Sequence, residues 1–207
     1  MNIRERLLGT PFVYRTFKKV VLPGGVLDRL VATHFHLADG GSVLDLGCGV
    51  GDYAPLYAPR CHYVGADSNA SYIEMARGMN GGSGATFVVA DVADESLVAL
   101  GPFDLVLMSG VLHHLTADEV TALVVPMTRL LSPAGRFVAL EPVFDPEQGL
   151  TARLVIASDR GRHVRDAAGY RHLLEPHFTR VTTSVVTGLL RIPYTHLVID
   201  ASSPVDA

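Results

Sequence analysis

The stretch VLDLGCGVGDY at residues 43–53 decides the fold, because it places a glycine-rich loop directly behind a short apolar run. This order is typical of the first strand and ligand-binding loop of an open α/β sheet. The glycines are Gly47, Gly49 and Gly51, spaced G-x-G-x-G. The dinucleotide fingerprint G-x-G-x-x-G differs from this spacing by one residue. The loop therefore predicts a nucleotide-bearing ligand whose identity the glycines alone leave open.

Asp45, in the strand just before the loop, indicates the charge of that ligand. A carboxylate repels a pyrophosphate and attracts an ammonium group. S-adenosylmethionine (SAM) carries an α-ammonium and a sulfonium and has no phosphate. Asp45 therefore favours SAM over NAD as the ligand of the loop.

Two more aspartates end the next predicted strands. Asp67 stands 20 residues beyond Gly47, where a carboxylate can bind both ribose hydroxyls of SAM or of NAD. Asp91 can accept a hydrogen bond from the adenine amine, with the Val92 backbone N–H available to a ring nitrogen. A single aspartate at a strand end is more often a turn or capping residue. Three of them at the carboxyl edge of one sheet predict a ligand site.

Short apolar runs alternate with helical patterns along the chain, which is typical of a parallel sheet covered by helices on both faces. We predict strands at residues 42–46, 62–66, 86–90, 103–108, 136–140, 180–186 and 196–200. We predict helices at residues 70–79, 117–131 and 166–177. Thr116 and Glu119 have the spacing of a helix-capping pair, and Pro133 with Gly135 predicts a turn before the fifth strand.

The overall composition predicts one globular unit over residues 1–207, because 48% of the residues are hydrophobic. The net charge of −4 gives no general attraction to nucleic acid or to an anionic membrane. No membrane span and no secretory signal is recognisable, and the two cysteines form no metal motif. These features predict a cytoplasmic protein that is a monomer or a homodimer.

Five motifs occur in one order across about residues 40–142: VLDLGCGVG, VGADSN, VVADV, FDLVLMSGVLHHL and LLSPAGRFVALEP. Together they resemble the successive motifs of class I SAM-dependent methyltransferases, and the chain is similar to small bacterial members of ubiquinone and menaquinone biosynthesis. The resemblance implies a doubly wound, Rossmann-like α/β fold. Its sheet would have seven strands in the order 3-2-1-4-5-7-6, with strand 7 antiparallel.

The resemblance also implies a cofactor site. Asp45 and the glycine loop would hold the methionine end of SAM, Asp67 the ribose and Asp91 the adenine. The backbone after the fourth strand would approach the methionine end. The full predicted set is Tyr14, Asp45, Gly47, Cys48, Gly49, Gly51, Asp67, Ser68, Asp91, Val92, Ser109 and Gly110.

Methyl transfer from a sulfonium is an in-line displacement, to which good alignment can contribute on the order of 7–11 kcal/mol. Three polar residues at strand ends are candidate catalytic groups: His113, His114 and Glu141. A histidine can remove a proton near neutral pH, and we favour His114 over His113. The alternative is that one histidine is a buried structural residue lining the SAM pocket and the other a surface residue.

Missing motifs narrow the acceptor. MSGVL stands where methyltransferases of nucleic-acid bases have Asn or Asp followed by Pro-Pro-aromatic. Ser109 stands where metal-dependent catechol methyltransferases have an aspartate ligand, so we predict no metal. The sequence therefore favours transfer to O or C of a small molecule. Two alternatives stay open: a protein that binds SAM without transferring its methyl group, and an NAD-dependent oxidoreductase.

The segments outside the motifs are predicted to contact the acceptor. Residues 1–36 are expected to form a helical lid and residues 143–165 an acceptor-side insertion. Basic residues between positions 153 and 180 could attract an anionic acceptor, but a solvated face or internal salt bridges is the explanation that we favour for them. The stretch LLRIPYTHLVID at residues 189–200, with Tyr194 and His196, is predicted to border the acceptor pocket.

Overall fold

A seven-stranded sheet forms the centre of the protein, and a computed structural model describes residues 20–91, 94–158 and 161–205. The strand order is β3-β2-β1-β4-β5-β7-β6, and β7 runs antiparallel to both of its neighbours. This confirms the predicted order and the predicted antiparallel strand. The strands are β1 (Ser42–Leu46), β2 (His62–Asp67), β3 (Thr86–Val89), β4 (Phe103–Ser109), β5 (Leu131–Pro142), β6 (Phe178–Thr187) and β7 (Thr195–Pro204).

Helices cover both faces of the sheet. They are α1 (Val26–Thr33), α2 (Ala54–Tyr57), α3 (Ala70–Met79), α4 (Ala117–Thr128), α5 (Leu150–Ala157) and α6 (Ala167–Leu174), with 3-10 helices at Glu95–Leu100 and Leu112–His114. No helix in the described ranges combines the length and apolar character needed to cross a bilayer.

The predicted cap of α4 is confirmed. The Thr116 hydroxyl accepts a hydrogen bond from the Glu119 N–H, and the Glu119 carboxylate accepts one from the Thr116 N–H at 2.7 Å. This reciprocal pairing satisfies two of the amides that have no partner in the first helical turn. The helix ends at Thr128, three residues before the predicted end, because β5 already begins at Leu131.

The predicted turn before the fifth strand is wrong, because Pro133 and Gly135 lie inside β5. Leu131 pairs with Phe103 and Arg136 pairs with Leu105, so residues 132–135 stand opposite the single residue Asp104. The Asp104 carboxylate accepts hydrogen bonds from the Ser132 hydroxyl and from Ser42. These hydrogen bonds lower the pKa of Asp104, and the bond from the Ser42 N–H contributes most to the shift. A polar contact thus holds an irregular stretch within the strand.

Side-chain alternation gives the sheet two faces with separate cores. One face, here the α1 face, packs Val43, Leu107 and Val138 against α1, α2 and α3. The other, here the α4 face, packs Leu44 and Ala139 against α4 and α6. Neighbouring residues of one strand therefore reach different surroundings.

Candidate active site

The glycine loop turns tightly at the carboxyl end of β1. Gly47, Gly49 and Gly51 have φ values of 72°, 55° and 76°, in the left-handed region that favours glycine. The Gly49 N–H donates to the Asp67 carboxylate at 2.9 Å, which fastens the loop to the end of β2. A Cβ on Gly47 would lie 2.7 Å from Cγ2 of Val111, so the segment after β4 packs directly on the loop.

Asp45 projects from β1 on the α1 face and is only 1% exposed. The Tyr63 hydroxyl donates to its Oδ2 atom at 2.6 Å. Burial raises the pKa of Tyr63, and the negative charge of Asp45 adds to that shift. Burial likewise raises the pKa of the Cys48 thiol, with further contributions from Asp45, Asp67 and Asp52. The loop is therefore a region of concentrated negative charge, which suits a cationic ligand.

The predicted ribose and adenine residues follow along the same edge of the sheet. The two carboxylate oxygens of Asp67 accept backbone hydrogen bonds from Gly49 and from Asn69, the latter at 2.8 Å. Ser68 is exposed beside it, and Asp91 is exposed just beyond β3. Tyr14 and Val92, the other predicted members, lie outside the described residues.

A pocket of about 140 Å³ opens where the glycine loop meets the ends of β4, β5 and β7. Its polar lining consists of Asp45, Asp52, Ser109 and His196. Gly110, the predicted neighbour of Ser109, donates its N–H to the Leu140 carbonyl at 2.8 Å and so ties the segment after β4 to β5. The other lining residues are Leu22, Leu27, Leu30, Gly47, Cys48, Gly49, Tyr53, Leu140, Leu189 and Leu190.

Five of these leucines form what we call the leucine roof: Leu22, Leu27, Leu30, Leu189 and Leu190. They come from two distant segments, α1 with the residues before it and the connection between β6 and β7. A hydrogen bond of 2.8 Å from the Arg191 N–H to the Val21 carbonyl joins the two segments. Arg136 holds the far end of α1 by donating to the carbonyls of His34 and His36, at 3.1 and 2.8 Å.

The sequence predicted that both segments border the site, residues 1–36 as a lid and residues 189–200 as an edge of the acceptor pocket. It did not predict that these leucines meet, because leucines at helical spacing are expected in any core. The prediction that His196 borders the pocket agrees with its place in the lining.

His113 and Glu141 form a buried pair on the opposite side of the sheet. The Glu141 carboxylate is 0% exposed and accepts hydrogen bonds from the N–H groups of Val111, Leu112 and His113, at 3.0, 2.9 and 3.3 Å. Its Oε2 atom also lies 2.6 Å from Nδ1 of His113. The carboxylate therefore binds the 3-10 helix after β4, and the pocket lining includes neither residue.

The segment 161–165 packs onto His113 from outside. A Cβ on Gly161 would lie 1.9 Å from Cδ2 of His113, so the close approach requires glycine. The His163 N–H donates to the His113 carbonyl at 3.0 Å, and Arg165 donates to the carbonyls of Leu112 and Leu115. His114 is exposed, with its ring 4.1 Å from that of His113.

The described basic residues that were predicted to attract an anion do not gather at the pocket. Arg165 is engaged with backbone carbonyls, and Arg171 pairs with Glu175 at 3.1 Å. Arg162 is exposed, and Arg160 lies outside the described residues. No arginine or lysine of the described ranges lines the pocket. Within those ranges, no group of three His, Cys, Asp or Glu side chains is arranged to hold a metal ion.

Part of the chain matches a known protein family. Residues 43–135 match the family described as methyltransferase domain. No curated protein matches the chain in sequence.

Several solved structures share the fold. The PH0226 protein from Pyrococcus horikoshii OT3 is 20% identical, with a TM-score of 0.69 over 98% of this chain and 100% of that one. The 1,6-didemethyltoxoflavin-N1-methyltransferase of Burkholderia thailandensis, solved with 1,6-didemethyltoxoflavin and S-adenosylhomocysteine (SAH), is 21% identical, with a TM-score of 0.68 over 96% and 86%. The SAM-dependent methyltransferase SibL is 21% identical, with a TM-score of 0.73 over 97% and 62%. At these identities the likeness concerns the fold.

Proposed function

Because residues 43–135 match the methyltransferase-domain family, we propose that the chain is a class I SAM-dependent methyltransferase that transfers the methyl group of SAM to O or C of a small molecule by in-line displacement. The observation that carries the proposal is the pocket whose lining combines Asp45 and Ser109 with His196 and the leucine roof. The carboxylates suit a cationic cofactor, and the leucines suit an acceptor. A small-molecule acceptor is also the substrate class named for the toxoflavin enzyme.

The residues present fit SAM. Asp45 is a buried carboxylate at the loop, with two further carboxylates, Asp52 and Asp67, contributing to the same negative field. In the proposal Asp45 and the loop amides hold the methionine end, and Asp67 with Ser68 holds the ribose. Asp91 binds the adenine, with Tyr14 and Val92 as further members. When bound, SAM supplies a methyl group on a positively charged sulfur.

We assign the remaining predicted residues by their contacts. His113 and Glu141 bind each other and the 3-10 helix, so their proposed role is to position the segment that carries Ser109 and Gly110. His114 is exposed beside His113 and stays the proposed candidate for a general base. Residues 1–36 and 143–165 remain the proposed lid and insertion of a single domain. Of the lid, only residues from position 20 onward are described.

Calorimetric titration with two ligands tests the proposal. We expect SAH to bind with a stoichiometry of one and NADH to give no signal, because Asp45 opposes a pyrophosphate. Release of SAH from SAM in the presence of a panel of phenols and carbon acids then separates an enzyme from a protein that only binds the cofactor. Binding of NADH without binding of SAH would contradict the proposal.

A further inference from the structure

We propose that the leucine roof and His196 together form the acceptor subsite, and that it takes a neutral, apolar molecule whose hydroxyl is hydrogen-bonded by His196. This inference rests on the proposed function, since it assigns the part of the same pocket that the cofactor residues do not account for. It names a chemical class of acceptor and one residue that selects within it.

The register of the sheet places His196 on the side of the cofactor residues. Ser109 pairs with Leu140, Leu140 with Val198, and Pro142 with His196. Paired residues project to the same face, and so do residues two apart along a strand. His196 therefore projects on the α1 face, as Asp45 and Ser109 do. It lies beyond Leu140 toward the carboxyl edge of β5, where open α/β sheets bind their ligands.

The lining of the pocket beyond the cofactor residues favours an apolar occupant. Six leucines line the pocket, the five of the leucine roof and Leu140. Apolar surface of this kind binds an apolar ring in preference to a charged group.

The charge of the pocket disfavours an anionic occupant. Asp45 and Asp52 line its floor, and no arginine or lysine of the described ranges reaches it. A carboxylate on the acceptor would lose its hydration without a basic side chain of the described lining to pair with. The described basic residues that suggested an anionic acceptor therefore do not line the pocket. For this reason we propose a neutral acceptor.

His196 is a polar side chain of the lining and stands at the start of β7, just after the connection that carries Leu189 and Leu190. Its ring packs against that of Tyr194, with 4.8 Å between centroids, and this contact limits its rotation. A neutral imidazole offers one donor and one acceptor nitrogen, so it can bind a hydroxyl in either sense. The proposed consequence is discrimination between a hydroxylated ring and the same ring without the hydroxyl.

Three matched probes test the subsite: p-cresol, toluene and p-toluate, titrated into protein saturated with SAH and observed by ligand-detected NMR. We expect p-cresol to bind more tightly than toluene by about threefold to tenfold, the range of one neutral hydrogen bond. We expect p-toluate to bind most weakly. Tightest binding by p-toluate would overturn the proposal in favour of an anionic acceptor, and no binding by any probe would overturn it outright.

Substitutions test whether His196 causes the preference for p-cresol over toluene. His196→Leu should remove the advantage of p-cresol over toluene while toluene still binds, and His196→Asn should keep part of that advantage. His62→Leu is the matched control, because His62 is exposed at the opposite edge of the sheet. Leu189→Ser should weaken p-cresol and toluene equally. An unchanged p-cresol advantage in His196→Leu would contradict the role of His196.

The SAH titration is carried out first on every variant, which separates the two levels of inference. Normal SAH affinity shows that the variant is folded, so a change in probe binding then belongs to the subsite. If the unaltered protein does not bind SAH, the proposed function is contradicted. If it binds SAH but does not distinguish the three probes as expected, only the proposed subsite is contradicted.

Discussion

Two polar clusters lie at the carboxyl edge of the same sheet, and they differ in whether they line the pocket. Glu141 with His113 lies on the α4 face and is saturated by bonds from its own chain. Asp45 with Ser109 and His196 lies on the α1 face and lines the pocket. The first cluster stabilises the segment after β4, and the second presents its charge and polar groups to a cavity.

The difference comes from side-chain alternation along single strands. Leu140 and Glu141 are neighbours in β5, yet Leu140 lines the pocket and Glu141 does not. A polar residue at a strand end is therefore as well suited to holding a loop as to touching a ligand. The following substitutions separate the two roles by comparing stability with cofactor affinity.

Glu141→Ala should have the largest effect, on folding. Removal of one partner of a buried, hydrogen-bonded pair typically costs about 3–5 kcal/mol, and here it leaves His113 and the amides of the 3-10 helix unsatisfied. Urea unfolding measures the loss, with the exposed Glu147→Ala as control. A full loss of activity with unchanged stability would mean that Glu141 acts in the chemistry.

Asp45→Asn should weaken SAH binding and leave stability nearly unchanged, which is the reverse of the effect of Glu141→Ala. Loss of a charge-assisted hydrogen bond worth about 1.5–3 kcal/mol raises the Kd for SAH by about 10- to 150-fold. Unfolding free energy should change little, because an asparagine oxygen still accepts from Tyr63. Calorimetry measures the Kd, and Asp118→Asn, at an exposed position on α4, is the control. Unchanged SAH affinity would remove the main support for the cofactor site.

Gly161→Ala should destabilise the protein by about 1–2 kcal/mol, in the lower range for overpacking, since the 161–165 segment is partly exposed and can shift. The added methyl group would otherwise lie 1.9 Å from the His113 ring. Gly78→Ala, in α3 with nothing within 4 Å, should instead stabilise by about 0.5–1 kcal/mol. Thermal and urea unfolding compare the two, and equal shifts would show that Gly161 does not press on His113.

Tyr63→Phe should have the smallest effect, and Tyr57→Phe is its matched partner. Each change removes one buried hydroxyl, to Asp45 in the first case and to the Phe35 carbonyl in the second, and each should cost about 1 kcal/mol of stability. Only Tyr63→Phe should also change the Kd for SAH, because only that hydroxyl holds Asp45. Equal SAH affinities in the two variants would contradict this role.

Local patterns and the family resemblance were sufficient for most of the fold. The predicted bounds of β1 and α3 are those observed, and the Thr116–Glu119 cap is present. These features depend on residues close together in sequence. The start of β5 was missed because its irregular stretch is held by Asp104, a residue of another strand, whose partner Ser42 lies 62 positions away.

The candidate site was predictable on its cofactor side and less so on its acceptor side. Asp45 and the glycine loop lie in one contiguous segment, so their proximity follows from the sequence. The leucine roof joins segments that are far apart in the chain, and no local pattern reports such a contact. The packing of Gly161 on His113 was missed for the same reason, since a lone glycine in a loop carries no signal of what lies against it.

The hydrogen bond between Arg191 and Val21 has a consequence for how acceptor choice can be redesigned. The family match covers residues 43–135, and both segments of the roof lie outside it. Under the proposal, acceptor choice is thus set by segments of the chain separate from the segment that holds the cofactor. A transfer of the roof into another protein of this fold would have to include both segments. Either segment alone would lack its backbone hydrogen-bond partner in the other.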